Sequence, residues 1–240
     1  MTERLSILEK GLASAAQSVH LLDGLQPRGV VRRVGDGVAM VVGLSEVRYE
    51  ELLAFDSGAL GLAFDLREQE VGAVLLSGAT GVHEGDGVVG TRKLPQLPVG
   101  PMALGRILSP LGEPLDEGPP LSGAPELPLF RPAPEIMQRQ SVEKTLWTGV
   151  MAIDAAIPIG RGQRELIIGD RNVGKTALAI DLLAGQRASD VAGVYVMIGQ
   201  PMSRVRALRD ALQHIGCLSN VAIIAAYASD SPGLQYLAPL

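Results

Sequence analysis

Eight residues constrain this chain more than any others. Gly169-Asp-Arg-Asn-Val-Gly-Lys-Thr176 satisfies G-x-x-x-x-G-K-[ST] at every fixed position. A short apolar run, Leu166-Ile167-Ile168, leads in as a predicted strand, and Leu178, Leu182 and Leu183 lead out at helical spacing. Strand, loop and helix in that order make a phosphate cradle. Glycines let successive backbone N–H groups turn toward one point, and the following helix aims its positive end at the same point. Lys175 would reach the outer phosphates as a point charge, and the Thr176 hydroxyl would complete the shell of a bound magnesium ion. The chain therefore carries a nucleotide phosphate site.

Composition narrows the class. A chain of 240 residues has room for one large or two small domains, and 47% hydrophobic with 20% charged residues describes a chain that folds. The net charge of −5 leaves no electrostatic footprint for nucleic acid. Cys217 is the single cysteine, so an internal disulfide and a multi-cysteine zinc site are both excluded; it reads as a buried, inert thiol. The N-terminus lacks the apolar stretch of a signal peptide, and no run approaches the ~18 residues of a membrane span. These features place the polypeptide in the cytosol, or peripheral to a membrane by way of partners.

Leu5, Leu8, Leu12 and Val19 fall at roughly helical spacing, which predicts an amphipathic helix over residues 3–19 within an N-terminal extension, residues 1–24. From Leu25 to Leu94 the pattern shifts to short apolar segments: Val30-Val31, Val38–Val42, Leu52–Phe55, Leu60–Phe64, Val71–Leu76 and Gly87–Val89. Asp36-Gly37 and Asp86-Gly87 read as tight turns between them. About six short strands in some seventy residues predict a small closed barrel over 25–94. Glu50 and Glu51 would point to opposite faces of a strand, which argues against paired acid–base work, and His83 reads as a solvated loop residue.

Eleven prolines between Pro95 and Pro134 exclude regular helix or central strand there. The stretch reads as a linker with one short strand-like segment, Met102–Leu108. After Ser141 an alternation of strand and helix begins. It runs through a short helix at Ile153–Ala156, the phosphate loop, a strand at Gly193–Gly199, a helix bearing Val205, Leu208, Leu212 and Ile215 and capped by Gly216, and a strand at Val221–Ala226. Ser229-Asp-Ser-Pro232 reads as a helix start, with Asp230 as a cap. Such alternation predicts a parallel sheet with crossover helices over 95–240. No apolar strand ending in Asp follows the loop, so the magnesium shell is incomplete in these residues.

At this point the wording of the motifs is as informative as their class. Ile159-Gly-Arg-Gly-Gln-Arg-Glu-Leu-Ile-Ile-Gly-Asp-Arg followed by Gly174-Lys-Thr resembles the α subunit of the F-type (rotary) ATP synthase. Val34-Gly-Asp-Gly-Val-Ala, Ser57-Gly-Ala-Leu-Gly-Leu-Ala, Val71-Gly-Ala-Val, Val99-Gly-Pro, Leu104-Gly-Arg, Ala133-Pro and Leu234-Gln-Tyr-Leu-Ala-Pro fall in that family's order and spacing, over about residues 28–240. The resemblance implies a mixed fold: a small β-barrel crown, then an α/β P-loop (RecA-like) parallel-sheet domain, incomplete at its C-terminus. It also implies bound ATP or ADP with Mg2+, in a ring where this subunit alternates with β subunits around a central γ subunit. A stator subunit would dock at the N-terminus. The ring would sit peripherally on the cytoplasmic face of the bacterial cell membrane, coupled to a proton or sodium gradient, with no nucleic-acid partner.

The implied nucleotide-binding residues are Gly169, Asp170, Arg171, Asn172, Val173, Gly174, Lys175, Thr176 and Gln200, with Thr176 as the magnesium ligand. The chain departs from the family pattern at Asn172-Val173, where Gln-Thr is usual, and at Pro201-Met202, where Lys-Arg is usual. The related β subunit places a Glu at the position of Gln200 to polarise the attacking water, and a neutral amide cannot handle that proton. The resemblance therefore implies a site that binds without turnover. An autonomous export-type motor ATPase would want a Glu at Gln200. An RNA translocase would want a basic or aromatic face, whereas aromatics are 3% here. The family continues well past Leu240, so a truncated product that does not assemble is a further reading, with an exposed sheet edge as its expected weakness.

Overall fold

The computed structural model describes residues 27–240. The helix expected over residues 3–19 lies outside the described residues. The chain divides into two compact units, one ending at Lys93 and the other spanning Leu94–Leu240.

The first unit is a closed barrel of six strands: β1 (Arg28–Gly35), β2 (Val38–Val42), β3 (Leu52–Phe55), β4 (Leu60–Leu66), β5 (Glu70–Ser77) and β6 (Gly87–Gly90). They pair antiparallel in the order β1-β2-β5-β4-β3-β6, and the β1–β6 ladder closes the ring. Closure leaves no free edge. Alternation supplies the interior: Ala39 and Val41 of β2, Leu53 and Phe55 of β3, and Ala73 and Leu75 of β5 are all buried. Asp36 and Gly37 join β1 to β2 with φ of 50° and 76°. Two consecutive left-handed residues match the twist of a two-residue hairpin, which only Gly, Asn or Asp adopt readily. Asp86-Gly87 behaves differently from the tight turn expected. Asp86 accepts a hydrogen bond from the His83 N–H at 2.8 Å, while Gly87 already belongs to β6, opposite Val30.

Glu51 is 2% exposed and precedes β3 in a turn rather than lying on a strand beside Glu50. Its carboxylate accepts from the backbone N–H groups of Arg48 (3.0 Å) and Arg92 (2.7 Å), tying the approach to β3 to the residues after β6. A buried acid so bonded is a structural tie. His83 is exposed in a loop.

In the second unit, the proline-rich stretch does more than link. β7 (Gln96–Pro98) and β9 (Glu126–Pro128) form an antiparallel pair, and β8 (Ile107–Leu108) runs parallel to a later strand as part of the nucleotide-domain sheet. Of the segment Met102–Leu108, only its last two residues are strand; Pro101–Ala103 form a 3-10 turn. Prolines flank β8 without entering it, so its N–H groups stay available for pairing.

Beyond it come β10 (Thr145–Leu146), α1 (Met151–Ala156), β11 (Ile159–Gly160, antiparallel to β10), α2 (Lys175–Gly185), β12 (Gly193–Gln200), α3 (Met202–Ile215), β13 (Val221–Tyr227) and α4 (Pro232–Leu237). The sheet order is β12-β13-β8, all parallel. On β13, Val221 to Ala226 are buried without a break, as a strand covered on both faces requires. Val205, Leu208 and Leu212 of α3 pack with Met197, Val221, Ile223 and Cys217. Gly216 caps α3 with φ 79°, and Cys217 is a buried free thiol. At the start of α4 the cap is Ser231, whose Oγ accepts from the Leu234 N–H at 3.1 Å; Asp230 instead accepts from the Tyr227 N–H at 2.6 Å.

Leu166-Ile167-Ile168 forms no strand. Leu166 and Ile168 are 82% and 83% exposed. A strand exists only where a neighbour completes its ladder, and no strand among the described residues aligns with this run.

Arg106 and Asp116 hold β8 in place. The guanidinium donates to both carboxylate oxygens at 2.7 and 2.8 Å, and Asp116 also accepts from the N–H groups of Ile107 and Gly118, each at 3.0 Å. The Arg106 hydrogen bonds, with help from the two backbone donors, lower the Asp116 pKa from an ordinary 3.8 to about 2. A folded-state pKa below the unfolded value contributes stability that is complete above about pH 5 and is lost as pH falls toward 2. The shift corresponds to on the order of 2 kcal/mol. Asp116→Ala is expected to destabilise the protein by about 2–4 kcal/mol near neutrality. Denaturant melts of both forms between pH 7 and pH 2 check this: the gap between them should narrow as pH falls.

Candidate functional site

The phosphate loop takes its shape from two left-handed residues. Asn172 has φ 63° and Gly174 has φ 93°, and α2 begins at the next residue, Lys175. A Cβ at Gly174 would meet nothing within 4 Å, so glycine is required there for its backbone angle rather than for space. Asparagine is among the few side chains that tolerate the conformation at 172. Lys175 turns back over its own loop: Nζ donates to the carbonyl oxygens of Gly169, at 2.7 Å, and Asp170. Gly169 and Asp170 thus hold the lysine by their carbonyls, and Val173 is exposed at the loop's turn.

Gln200 reaches the loop by a different route. The register of β12 on β13 slips between Ile198 and Gln200, at Gly199, whose φ is 64°. Such a bulge re-aims the residue that follows it. Gln200 then stands at the carboxyl end of β12, the end at which parallel α/β sheets collect ligands. It shares an open cleft of about 830 Å³ with Arg171, Asn172, Gly174, Lys175, Thr176, Pro201 and Arg204. A neighbouring cavity of about 620 Å³ continues past Asn172, Thr176 and Gln200 to Ile180, Tyr195 and Leu208. Six of the nine residues singled out from the sequence therefore line one cleft.

The fit to a magnesium nucleotide is partial. Thr176 supplies one hydroxyl, no carboxylate lines the cleft, and no group of acids, histidines or cysteines that could hold a metal occurs among the described residues. A magnesium ion at Thr176 would draw its remaining ligands from phosphate oxygens and water.

Comparison with known proteins finds both the barrel and the P-loop sheet domain in one family. Residues 25–92 match the ATP synthase alpha/beta family, beta-barrel domain, and residues 149–240 match its nucleotide-binding domain; together they span more than half of the chain. The chain belongs to the ATP synthase alpha/beta family. It is 48% identical over 225 residues to ATP synthase subunit alpha 2 of Burkholderia thailandensis, covering 94% of this chain and 40% of that relative. It is 46% identical over 211 residues to ATP synthase subunit alpha of Dehalococcoides mccartyi, covering 88% of this chain and 42% of that one. The chain spans about two-fifths of the length of these relatives. No helix among the described residues is long and apolar enough to cross a membrane.

Two site features of this family member were not read from the sequence. Arg204 is one: it lies four residues beyond Gln200, and its Nη1 donates to Gln200 Oε1 over a long 3.4 Å. The start of α3 at Met202 was the available signal, because a first-turn side chain four residues on faces back toward the strand end. The other is a strap across the far end of α2. Gln186 is buried, and its amide donates to the Trp147 carbonyl at 2.6 Å. The hydroxyl and N–H of Thr148 and the N–H of Gly149 all bond to Asp154 of α1, at 2.7, 2.9 and 3.0 Å. These bonds, the Thr148 hydroxyl first, hold the Asp154 carboxyl below its usual range.

The strap passes so close to α2 that a Cβ on Gly185 would stand 2.1 Å from the Thr148 carbonyl oxygen. Backbone cannot yield as a flexible side chain would. Gly185→Ala should therefore cost about 1–3 kcal/mol despite alanine's better helix propensity. A lowered thermal midpoint checks it; a gain in stability would show that the strap moves freely.

Proposed function

We propose that this chain is a nucleotide-binding, non-catalytic alpha-type subunit of a rotary ATP synthase. It holds ATP or ADP with Mg2+ at Gly169–Thr176 and leaves turnover to its beta neighbours. The observation that carries this reading is the neutral Gln200 at the end of β12, in a cleft whose charged residues are Arg171, Lys175 and Arg204. Activating a water requires a group that can take its proton; amide, hydroxyl and guanidinium groups bind phosphate but do not serve as that base near neutral pH. The loop residues and Thr176 bind the phosphates and the metal, while Gln200 orients without accepting a proton.

In this reading the subunit alternates with beta subunits around a gamma shaft, peripheral to the cytoplasmic face of a membrane whose proton or sodium gradient drives synthesis. A stator contact through the N-terminal residues belongs to the same proposal, as does a division into residues 1–24, 25–94 and 95–240. The similarity to alpha subunits in two bacteria supports the assignment.

The test follows the nucleotide on this polypeptide. In the isolated complex, γ-labelled ATP photo-crosslinked to this chain should be recovered uncleaved after many turnovers of the assembly. Lys175→Ala should weaken that labelling about 10- to 100-fold, as expected for one charge-assisted phosphate contact. Loss of the γ-label as free phosphate from nucleotide held on this chain, with unlabelled ADP left behind and no such loss in the Lys175→Ala form, would overturn the non-catalytic reading.

A further inference from the structure

We infer that Arg204 is a phosphate-binding residue of this site, contacting the terminal phosphate of a bound nucleoside triphosphate from the wall opposite the phosphate loop. The inference rests on the nucleotide-binding reading above and adds to it a residue that distinguishes triphosphate from diphosphate.

Three features point the same way. The cleft is bounded by the starts of two helices: Gly174, Lys175 and Thr176 begin α2, and Pro201 and Arg204 begin α3. Both helix N-termini carry partial positive charge, and the charged residues lining the cleft, Arg171, Lys175 and Arg204, are all cationic. Such a space favours an anion of several charges.

The second feature is the position of Arg204 within its own helix. The first turn of α3 contains no acidic residue, while Arg204 and Arg206 both lie near its start. A cation there opposes the helix dipole, and an anion held against it would remove that penalty. The exposed Arg204 side chain is not buried as packing, so burial does not explain its placement.

The third is what two of these cations, Lys175 and Arg204, already hold. Lys175 is engaged by the carbonyls of Gly169 and Asp170. Arg204 makes one long hydrogen bond, to Gln200 Oε1 at 3.4 Å, which leaves most of its five donors for a ligand. That bond also places it beside Gln200, the residue that in the proposed function stands nearest the terminal phosphate. A planar guanidinium can bond two phosphate oxygens at once, and a lysine cannot.

The experiment uses the isolated complex and photo-crosslinking of azido-ATP and azido-ADP to this chain, resolved from the other subunits by mass. Arg204→Ala is expected to weaken azido-ATP labelling about tenfold, the loss of one charge-assisted contact, and azido-ADP labelling less than twofold. Arg204→Lys should recover part of the triphosphate preference. Equal losses for the two nucleotides, or none, would overturn the role of Arg204 while Lys175-dependent labelling of the wild type keeps the nucleotide-site reading. Absence of labelling in the wild type would overturn both. Matching thermal midpoints of the Arg204 variants and the wild type separate a binding effect from misfolding.

Discussion

The parallel pairing of β12 with β13 is the constraint on which the second unit depends. It runs from Gly193 opposite Val221 to Gln200 opposite Tyr227. β13 is sealed on both faces, so it needs a neighbour on each edge and cover above and below. β12 supplies one edge and β8 the other, with α3 packed over the hydrophobic cluster between them. The register slip at Gly199 then decides where Gln200 emerges. A one-residue change in that pairing would turn every side chain of β12 to the opposite face and carry Gln200 away from the phosphate loop.

The site built on that pairing is made from neutral amides, one hydroxyl and cations. Its loop is preformed in backbone shape, through Asn172 and Gly174, but its lysine is occupied by its own carbonyls. A phosphate entering the loop would exchange those neutral carbonyls for charged oxygens, a stronger acceptor for an ammonium. At the other end of α2, the clasp of Gln186 and Gly185 against Trp147 and Thr148 anchors the helix whose first turn the ligand would meet.

Part of the apolar surface of this unit is uncovered. Val194, Val196 and Ile198 alternate along β12 and are exposed, and Leu166 and Ile168 are exposed ahead of the loop. The same residues that read as strand from their composition therefore differ in outcome. Val221–Ala226 found neighbours on both sides, and Leu166–Ile168 found none among the described residues. β-propensity is a statement about fit to a ladder, and it has no effect where the ladder is missing.

Local chemistry made much of the molecule legible in advance. The six barrel strands, the Asp36-Gly37 hairpin, the Gly216 cap and the helix that follows the loop each depend on residues adjacent in the chain, whose backbone preferences and alternation are read directly. The phosphate loop was legible for the same reason: glycine, lysine and threonine act there through spacing alone. Other features depend on residues far apart in sequence. Arg106 and Asp116 draw a proline-flanked dipeptide into a sheet whose other strands lie more than eighty residues on, and Trp147 and Thr148 meet the end of α2 across nearly forty. Asp86-Gly87 carries a turn signature but enters β6, because the barrel's closing ladder claims Gly87. The sequence by itself determined which side chains the chain brings, a glycine-rich P-loop with a lysine and a threonine and an amide, Gln200, after the next strand. Only the tertiary structure decided which side chains converge on it, Arg204 among them, because convergence is set by packing and register between distant segments.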